Sequence, residues 1–251
     1  MKRIFKLLTI SLITLQLIGC SQNDNSSTEQ PELTVTDADG NIYNTITIGG
    51  QVWMLENLKT TTYNDGTPIT QYNFDIHGTN WAATGSMFNG EGFYKWADTA
   101  DLNNASDEEL AFDEYGAIYN HFALESGKLA PEGWRIPTEA DFIELGNFIA
   151  NDGNLGNVAG ALKSETGWVD SSGNGTNTYG FNTIPNGYVT IFGSNAAGGI
   201  LSTWATSNLT GNGGNTSSLI RKLIQLSTND ETLECIDFPM QIGAGVRCIK
   251  E

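Results

Sequence analysis

One well-marked amphipathic helix, predicted over residues 138–150, constrains the fold of this chain more than any other feature. Pro137 precedes it, and Thr138 and Asp141 have the spacing of a capping box. One face of the predicted helix is apolar and consists of Phe142, Leu145, Phe148 and Ile149. A single clear helix cannot build a helical bundle, so strands must supply most of the core.

Short runs in which apolar and polar residues alternate, separated by turns, predict the strands. Residues 33–58 hold three such runs, separated by a turn cluster at 37–41 and by Gly49-Gly50, and predict an N-terminal β-meander. Residues 219–226 predict a strand, and residues 233–250 predict a final antiparallel hairpin. The 29 glycines of the chain indicate many turns and long loops between these elements.

The first nineteen residues have the pattern of an export signal. Lys2, Arg3 and Lys6 form a basic start, an apolar stretch of twelve residues follows, and Gly19-Cys20 closes the segment. This order resembles the lipobox of bacterial lipoproteins, in which the cysteine is lipidated and becomes the mature N-terminus. The alternative is an ordinary secretory signal followed by a chance cysteine.

Three regions follow from this interpretation. Residues 1–19 are predicted to be a lipoprotein signal peptide, residues 20–32 a flexible tether after lipidated Cys20, and residues 33–251 one domain. Acyl chains on Cys20 would anchor the protein in the outer membrane. Asp24, shortly after the cysteine, resembles the surface-export signal of Bacteroidota lipoproteins, so exposure at the cell surface is expected.

Export also bears on the two remaining cysteines. The predicted final hairpin places Cys235 opposite Cys248, and an oxidising compartment would join them in a disulfide. The alternative is a pair of buried free thiols.

The charge balance excludes one class of partner. The chain has 12 basic and 29 acidic side chains and a net charge of -17. Binding to nucleic acid requires clustered basic residues that neutralise phosphates, so no nucleic-acid partner is expected.

Two sets of residues are candidates for binding. Trp81, Tyr94, Trp96 and Trp204 lie in or beside loop-like stretches, where exposed rings would stack on sugars or peptides; packing is the alternative for each ring. Asp37, Asp39 and Asn41 offer oxygen atoms at alternate positions, as in part of a calcium loop, but an Asp-Gly turn is favoured there. Apart from a calcium ion, the sequence suggests no cofactor.

Catalytic signals are absent from the sequence. The chain has two histidines, neither within a metal-ligand spacing, and contains no nucleophile-elbow or phosphate-loop motif. A glycoside hydrolase needs a pair of carboxylates, and the sequence alone does not single out a pair among 29. The chain is therefore expected not to be an enzyme.

Several stretches resemble the Fibrobacter succinogenes major paralogous domain, whose members are mostly exported or lipid-anchored. The residues that carry the resemblance are 52–58, 63–69, 115–120, 127–141, 180–188 and 245–248. Residues 133–141 and 246–248 also resemble the C-type-lectin-like fold. That resemblance implies the fold class α+β, with an irregular antiparallel sheet and one main amphipathic helix, preceded here by the N-terminal β-meander. The calcium motifs of sugar-binding lectins and the cysteine pair of formylglycine-generating enzymes are missing, so neither chemistry is implied.

The expected function is a non-enzymatic binding module for a glycan or protein ligand at the cell surface. The alternative is an accessory lipoprotein subunit of an outer-membrane complex in transport, secretion or assembly. In that case the lipid would supply effective concentration and the domain would supply the contacts.

Overall fold

The computed structural model describes residues 34–82, 90–97, 114–169, 173–211 and 219–251. The predicted signal peptide, the tether and Cys20 lie outside these residues. Glu32–Glu251 form one compact unit with mixed α+β structure, rich in strands and poor in helices. None of the helices in the described part of the chain is both long enough and apolar enough to span a membrane.

The predicted N-terminal meander forms and belongs to the largest sheet. Strand β1 (Thr34–Thr36) pairs antiparallel with β2 (Ile42–Ile48), and β2 pairs antiparallel with β3 (Gln51–Met54). The C-terminal strand β13 (Ile249–Lys250) lies between β3 and β7 (Trp134–Arg135). The first and last strands of the domain therefore belong to one five-stranded sheet.

A second antiparallel sheet contains the longest strands. Its order is β10 (Leu201–Thr210), β11 (Ile220–Ser227) and β12 (Glu234–Pro239), so β12 is an outer strand. The strand predicted over 219–226 is thereby confirmed as β11. Alternate residues of this sheet face two different apolar clusters: Leu223 faces one, and its neighbour Ile224 faces the other.

The remaining elements are short. Two small sheets and three helices connect the larger parts: β4 (Thr70–Gln71), β5 (Phe93–Trp96) and β6 (Ala117–Tyr119); β8 (Tyr188–Val189) and β9 (Asn195–Ala196); and α1 (Phe74–His77), α2 (His121–Glu125) and α4 (Val158–Leu162).

The predicted main helix is confirmed as α3 (Glu139–Ile149), and it begins with the predicted capping box. The Thr138 hydroxyl accepts a hydrogen bond from the Asp141 N–H at 3.2 Å, and the Asp141 carboxylate accepts one from the Thr138 N–H at 2.6 Å. Phe142, Leu145 and Ile149 are buried as predicted. Phe148 remains 39% exposed, because it lies beside Gly49 at the rim of the core rather than within it.

The predicted final hairpin is wrong, and the disulfide predicted from its register is not present in the structure. Strand β12 pairs with β11 and places Cys235 opposite Ile224, whereas Cys248 precedes β13 in the other sheet. Both cysteines are free. Cys235 is half-buried, and Cys248 is fully buried in the apolar core.

The physical reason is that the chain between the two strands does not turn back on itself. It runs buried through the core and forms isolated bridges through Gly243, Ala244 and Gly245. A Cβ on Gly243 would lie 2.2 Å from the Trp81 ring, so only glycine fits there. This close packing separates β12 from β13.

Candidate functional site

A buried arginine, Arg247, lies where several segments of the domain meet. Its guanidinium contacts two rings that are perpendicular to each other, with its carbon 4.7 Å from the centre of Phe181 and 5.0 Å from that of Trp204. It donates to the Asn57 side-chain oxygen, from Nε at 3.2 Å and from one terminal nitrogen at 3.1 Å, and to the Phe181 carbonyl oxygen. Burial lowers the pKa of Arg247 to about 9, and the Glu56 carboxylate opposes this shift.

Asn57 connects this centre to the segment that follows residue 113. Its side-chain oxygen also accepts from the Trp204 indole N–H at 2.8 Å, and its amide nitrogen donates to the Tyr115 carbonyl at 3.0 Å. Gly116 has φ 80°, and a Cβ there would lie 2.6 Å from that of Asn57. This close approach fixes the position of Tyr115 and of its exposed neighbour, Glu114.

A cavity of about 300 Å³ adjoins this centre. Charged and amide groups at its wall belong to Glu56, Lys59, Glu114 and Asn182, and apolar contacts come from Ile42, Leu55 and Ile184. The Arg247 side chain, itself shielded from solvent, also contributes to the wall. The cavity therefore combines hydrogen-bonding groups with an apolar surface.

Local hydrogen bonds hold the Glu56 carboxylate and the Lys59 backbone in place. The Glu56 carboxylate accepts from the Asn44 backbone N–H at 2.9 Å and from its side-chain amide at 2.7 Å. The backbone N–H of Lys59 donates to the Tyr43 hydroxyl at 3.0 Å, and that hydroxyl donates to Asp37 at 2.5 Å. The strand pairing of β2 with β3 therefore orients one wall of the cavity.

These groups suit a small polar ligand. Carboxylates accept hydrogen bonds from hydroxyl groups, an amide both donates and accepts, and an ammonium donates. Apolar wall atoms complement the C–H faces of the same ligand, and a few placed polar groups beside apolar surface are typical of ligand pockets. Two carboxylates in one cavity are also a feature that glycoside hydrolases require.

Sequence reasoning missed these residues. Glu56 and Glu114 are two of 29 carboxylates, and no local pattern distinguishes them. The signal that could have found them is their position beside two of the resemblance stretches: Glu56 lies within residues 52–58, and Glu114 immediately precedes residues 115–120.

The aromatic residues predicted to bind a ligand are mainly part of the core. Trp81, Tyr94 and Trp204 are buried, and Trp96 is half-buried beside Tyr94 with ring centres 5.4 Å apart. Trp204 stacks on Phe142 of α3 at 5.8 Å. Trp81, Tyr94 and Trp204 therefore follow the packing alternative rather than the expected exposure, because their segments fold inward onto the sheets.

The predicted calcium ligands form the alternative structure, an Asp-Gly turn. Asp37 accepts hydrogen bonds from the backbone N–H groups of Asp39 and Asn41 at 3.0 and 2.9 Å, and from the Asn41 side chain at 2.9 Å. The Asp39 carboxylate accepts from Thr61. The two carboxylates therefore have different partners. Within the described residues, no cluster of three or more His, Cys, Asp or Glu side chains could hold a metal ion.

A second polar cluster surrounds another buried arginine. Arg221 lies 2.5 Å from the Glu125 carboxylate, 3.1 Å from the His121 ring nitrogen Nδ1, and donates to the Thr206 carbonyl at 2.7 Å. Burial lowers the pKa of His121 to about 4; the positive charge of Arg221 contributes, and Glu125 opposes the shift. His121 is therefore neutral at pH 7 and packs within the fold.

Four of the stretches that carry the family resemblance meet around Arg247, and a family profile matches the part of the chain that contains them. The profile of the Fibrobacter succinogenes major domain matches residues 46–250. The chain belongs to this family. No curated protein and no solved structure is similar enough to the chain to count as a match.

The structure explains what the motifs of this Fibrobacter succinogenes major domain do. Asn57, Tyr115, Phe181 and Arg247 each lie in a different motif stretch, and all four meet in the hydrogen-bonded centre described above. The motifs therefore stabilise the fold, while the cavity wall beside them is the part available to a ligand.

Proposed function

We propose that this protein is a non-enzymatic binding module, lipid-anchored through Cys20 in the outer membrane and exposed at the cell surface, that takes a glycan. The observation that carries the proposal is the cavity beside Arg247. It offers Glu56, Glu114 and Asn182 to sugar hydroxyls and offers Ile42 to the apolar face of a sugar ring.

The charge of the wall favours a neutral sugar. The two carboxylates, Glu56 and Glu114, are balanced by two cationic side chains, Lys59 and Arg247, so the wall has no net formal charge that would select a charged sugar. Hydroxyl groups are good donors to both carboxylates. The size supports the same choice, since about 300 Å³ lies at the lower end of the range for ligand pockets. One or two sugar units are therefore the expected occupant.

We further propose that the fold is a variant of the C-type-lectin-like fold. Two features support this assignment: the first and last strands share one sheet, and one main helix, α3, packs against curled antiparallel strands. The assignment is an analogy of fold and does not itself identify a ligand.

Binding of neutral oligosaccharides to the purified protein tests the proposed function. The change is Glu114→Gln, which keeps the shape of the side chain and removes its charge. Loss of a charged hydrogen bond should weaken binding about ten-fold. Glu165→Gln is the matched control, because Glu165 is exposed and does not line the cavity.

The same samples separate binding from hydrolysis. Reducing ends released from the bound oligosaccharide should not accumulate with time. Accumulation that Glu114→Gln or Glu56→Gln abolishes would assign the two carboxylates to a glycoside hydrolase instead. Equal binding by the wild type, the Glu114→Gln variant and the control would show that the cavity is not the sugar-binding site.

The second candidate function is an accessory lipoprotein subunit of an outer-membrane protein complex. It is favoured by exposed apolar side chains outside the cavity, among them Ile143 at 53% and Leu155 at 87% exposure. Extraction of the full lipoprotein in mild detergent distinguishes the two. A subunit should stay with a membrane protein in fixed stoichiometry, whereas a free module should be recovered alone.

A further inference from the structure

An apolar groove of about 290 Å³ lies between α3 and the outer strand β12. It shares no lining residue with the cavity beside Arg247. Phe142, Val158 and Ile224 are its buried residues, while Ile143 and Leu155 are exposed. The groove therefore presents large apolar side chains to solvent on a folded surface.

The groove exists because α3 does not cover the whole second sheet. The helix packs on β10 and β11 and leaves the adjoining face of β12, with Leu233 and Cys235, half-buried. Gly146 faces Leu233, where even a Cβ would lie 3.5 Å from the leucine side chain. Within the described residues, β12 pairs only with β11, so one row of its backbone N–H and C=O groups has no strand partner.

Carboxylates flank the groove. The Cys235 thiol in the groove donates a hydrogen bond to Glu139, and Glu231 directly precedes Thr232 in the groove wall. In the described structure, neither of these two carboxylates forms a salt bridge. The nearby base, Lys222, is already paired with Asp237 at 2.8 Å. The groove therefore has an apolar floor and an acidic rim.

We propose that this groove docks an extended basic segment of a partner protein. The segment would add a strand beside β12, place alternate apolar side chains over Leu233 and Ile143, and set Lys or Arg side chains against the acidic rim. Charge complementarity selects this occupant. A second copy would bring a second acidic rim and a net charge of -17 against the first, and anionic lipid would be repelled in the same way.

Two synthetic peptides test the proposal on the full-length lipoprotein in detergent. Both are ten residues long and have valine at alternate positions; one carries lysine at the other positions and the second carries glutamate. The lysine peptide should bind at least ten-fold more tightly, and Ile143→Asn should weaken its binding about ten-fold. Leu155→Asn is a second variant in the same groove.

Ile76→Asn is the matched control, because Ile76 is an isoleucine with 76% exposure that lies on α1 outside the groove. It should leave the lysine peptide bound as tightly as before. Undiminished binding of the lysine peptide by Ile143→Asn would indicate general attraction to an acidic protein and overturn the proposal, and an equal loss in Ile143→Asn and Ile76→Asn would overturn it as well. Equal binding of the two peptides would also overturn it.

A photo-reactive amino acid at position 143, introduced in cells that produce the protein, tests the natural occupant. The cross-linked peptide should come from another protein and should combine alternating apolar residues with Lys or Arg. A cross-link to a second copy, to a segment of the same chain or to lipid contradicts the proposal, as does no cross-link above that obtained from position 76.

Discussion

The two buried arginines, Arg247 and Arg221, are stabilised in different ways. Arg247 has no salt bridge to a described carboxylate; two aromatic rings and two oxygen acceptors surround it. Arg221 forms a salt bridge with Glu125, whose side chain is 41% exposed, and contacts His121. The first therefore depends on shape and hydrogen bonds, and the second depends on charges at the edge of the fold.

This difference separates an arginine within the family-resemblance stretches from one outside them. Arg247 belongs to one of the stretches that carry the family resemblance, whereas Arg221 lies in none of them. A planar guanidinium can stack on rings and donate several hydrogen bonds at once, which a lysine ammonium cannot do. The centre around Arg247 should therefore tolerate substitution less than the cluster around Arg221.

Arg247→Lys should have the largest effect on stability. The variant keeps the positive charge but loses the contacts of the guanidinium with the Phe181 and Trp204 rings and most of the hydrogen bonds to Asn57 and Phe181. The free energy of unfolding should fall by about 3 kcal/mol, as measured by urea denaturation. Arg221→Lys is the matched substitution and should cost less, since a lysine can still pair with Glu125. An equal loss of unfolding free energy in both variants would contradict the proposed difference between the two arginines.

The Arg221 cluster should respond to pH in a range where the Arg247 centre does not. The pKa of His121 is lowered to about 4 in the folded protein, below the ordinary value of 6.5. The folded state therefore binds fewer protons between these values, and its stability should fall as pH falls from 6.5 to 4. Allowing for solvent screening, the loss should be about 2 kcal/mol.

The measurement is the free energy of unfolding as a function of pH, compared between the wild type and His121→Gln. The variant cannot gain a proton, so its stability should change less between pH 6.5 and 4. Parallel curves for the two proteins would show that His121 is not the group responsible.

A third and more exposed arginine, Arg135 on β7, pairs with Asp141 of the α3 capping box at 2.6 Å, and the smallest effect on stability is expected there. Burial raises the pKa of Asp141, but hydrogen bonds from Arg135 and Thr138 outweigh it and lower the value to about 2. The ionised carboxylate should therefore stabilise the fold above pH 4, and this contribution should disappear as pH falls from 4 to 2. Asp141→Asn should cost about 1 to 2 kcal/mol at pH 7 after allowance for screening.

Unfolding experiments at pH 7 and pH 2.5 check this prediction. The difference between wild type and Asp141→Asn should be clearly smaller at the lower pH. A difference that stays constant with pH would mean that packing, rather than the charge of Asp141, accounts for the loss.

Local signals predicted the meander and α3, because strand alternation, turn residues and a capping box act within a few residues of each other. The site depends on distant contacts instead: Asn57 and Arg247 are 190 positions apart and meet only through the complete fold. The same limitation explains the wrong hairpin. Cys235 and Cys248 are close in sequence, but the buried segment between them carries the chain from one sheet to another.

The burial of aromatic residues was also beyond local reasoning. Trp81 and Trp204 occupy loop-like or short alternating sequence, and their neighbours do not reveal whether the ring faces inward. The structure places Trp204 against Phe142 and Phe181, residues from two distant segments. Sequence patterns therefore identify the elements of this domain better than they identify its exposed surface.

Isoleucine methyl NMR during titration with a neutral oligosaccharide tests the proposed glycan site most directly. Ile42 and Ile184 line the cavity, Ile143 lines the groove, and Ile76 lies on α1 in neither. If the cavity binds the sugar, the methyl signals of Ile42 and Ile184 should shift in a saturable way, while those of Ile143 and Ile76 stay in place. Saturable shifts confined to Ile143 or Ile76, or no shift with any neutral sugar, would contradict the proposed glycan site.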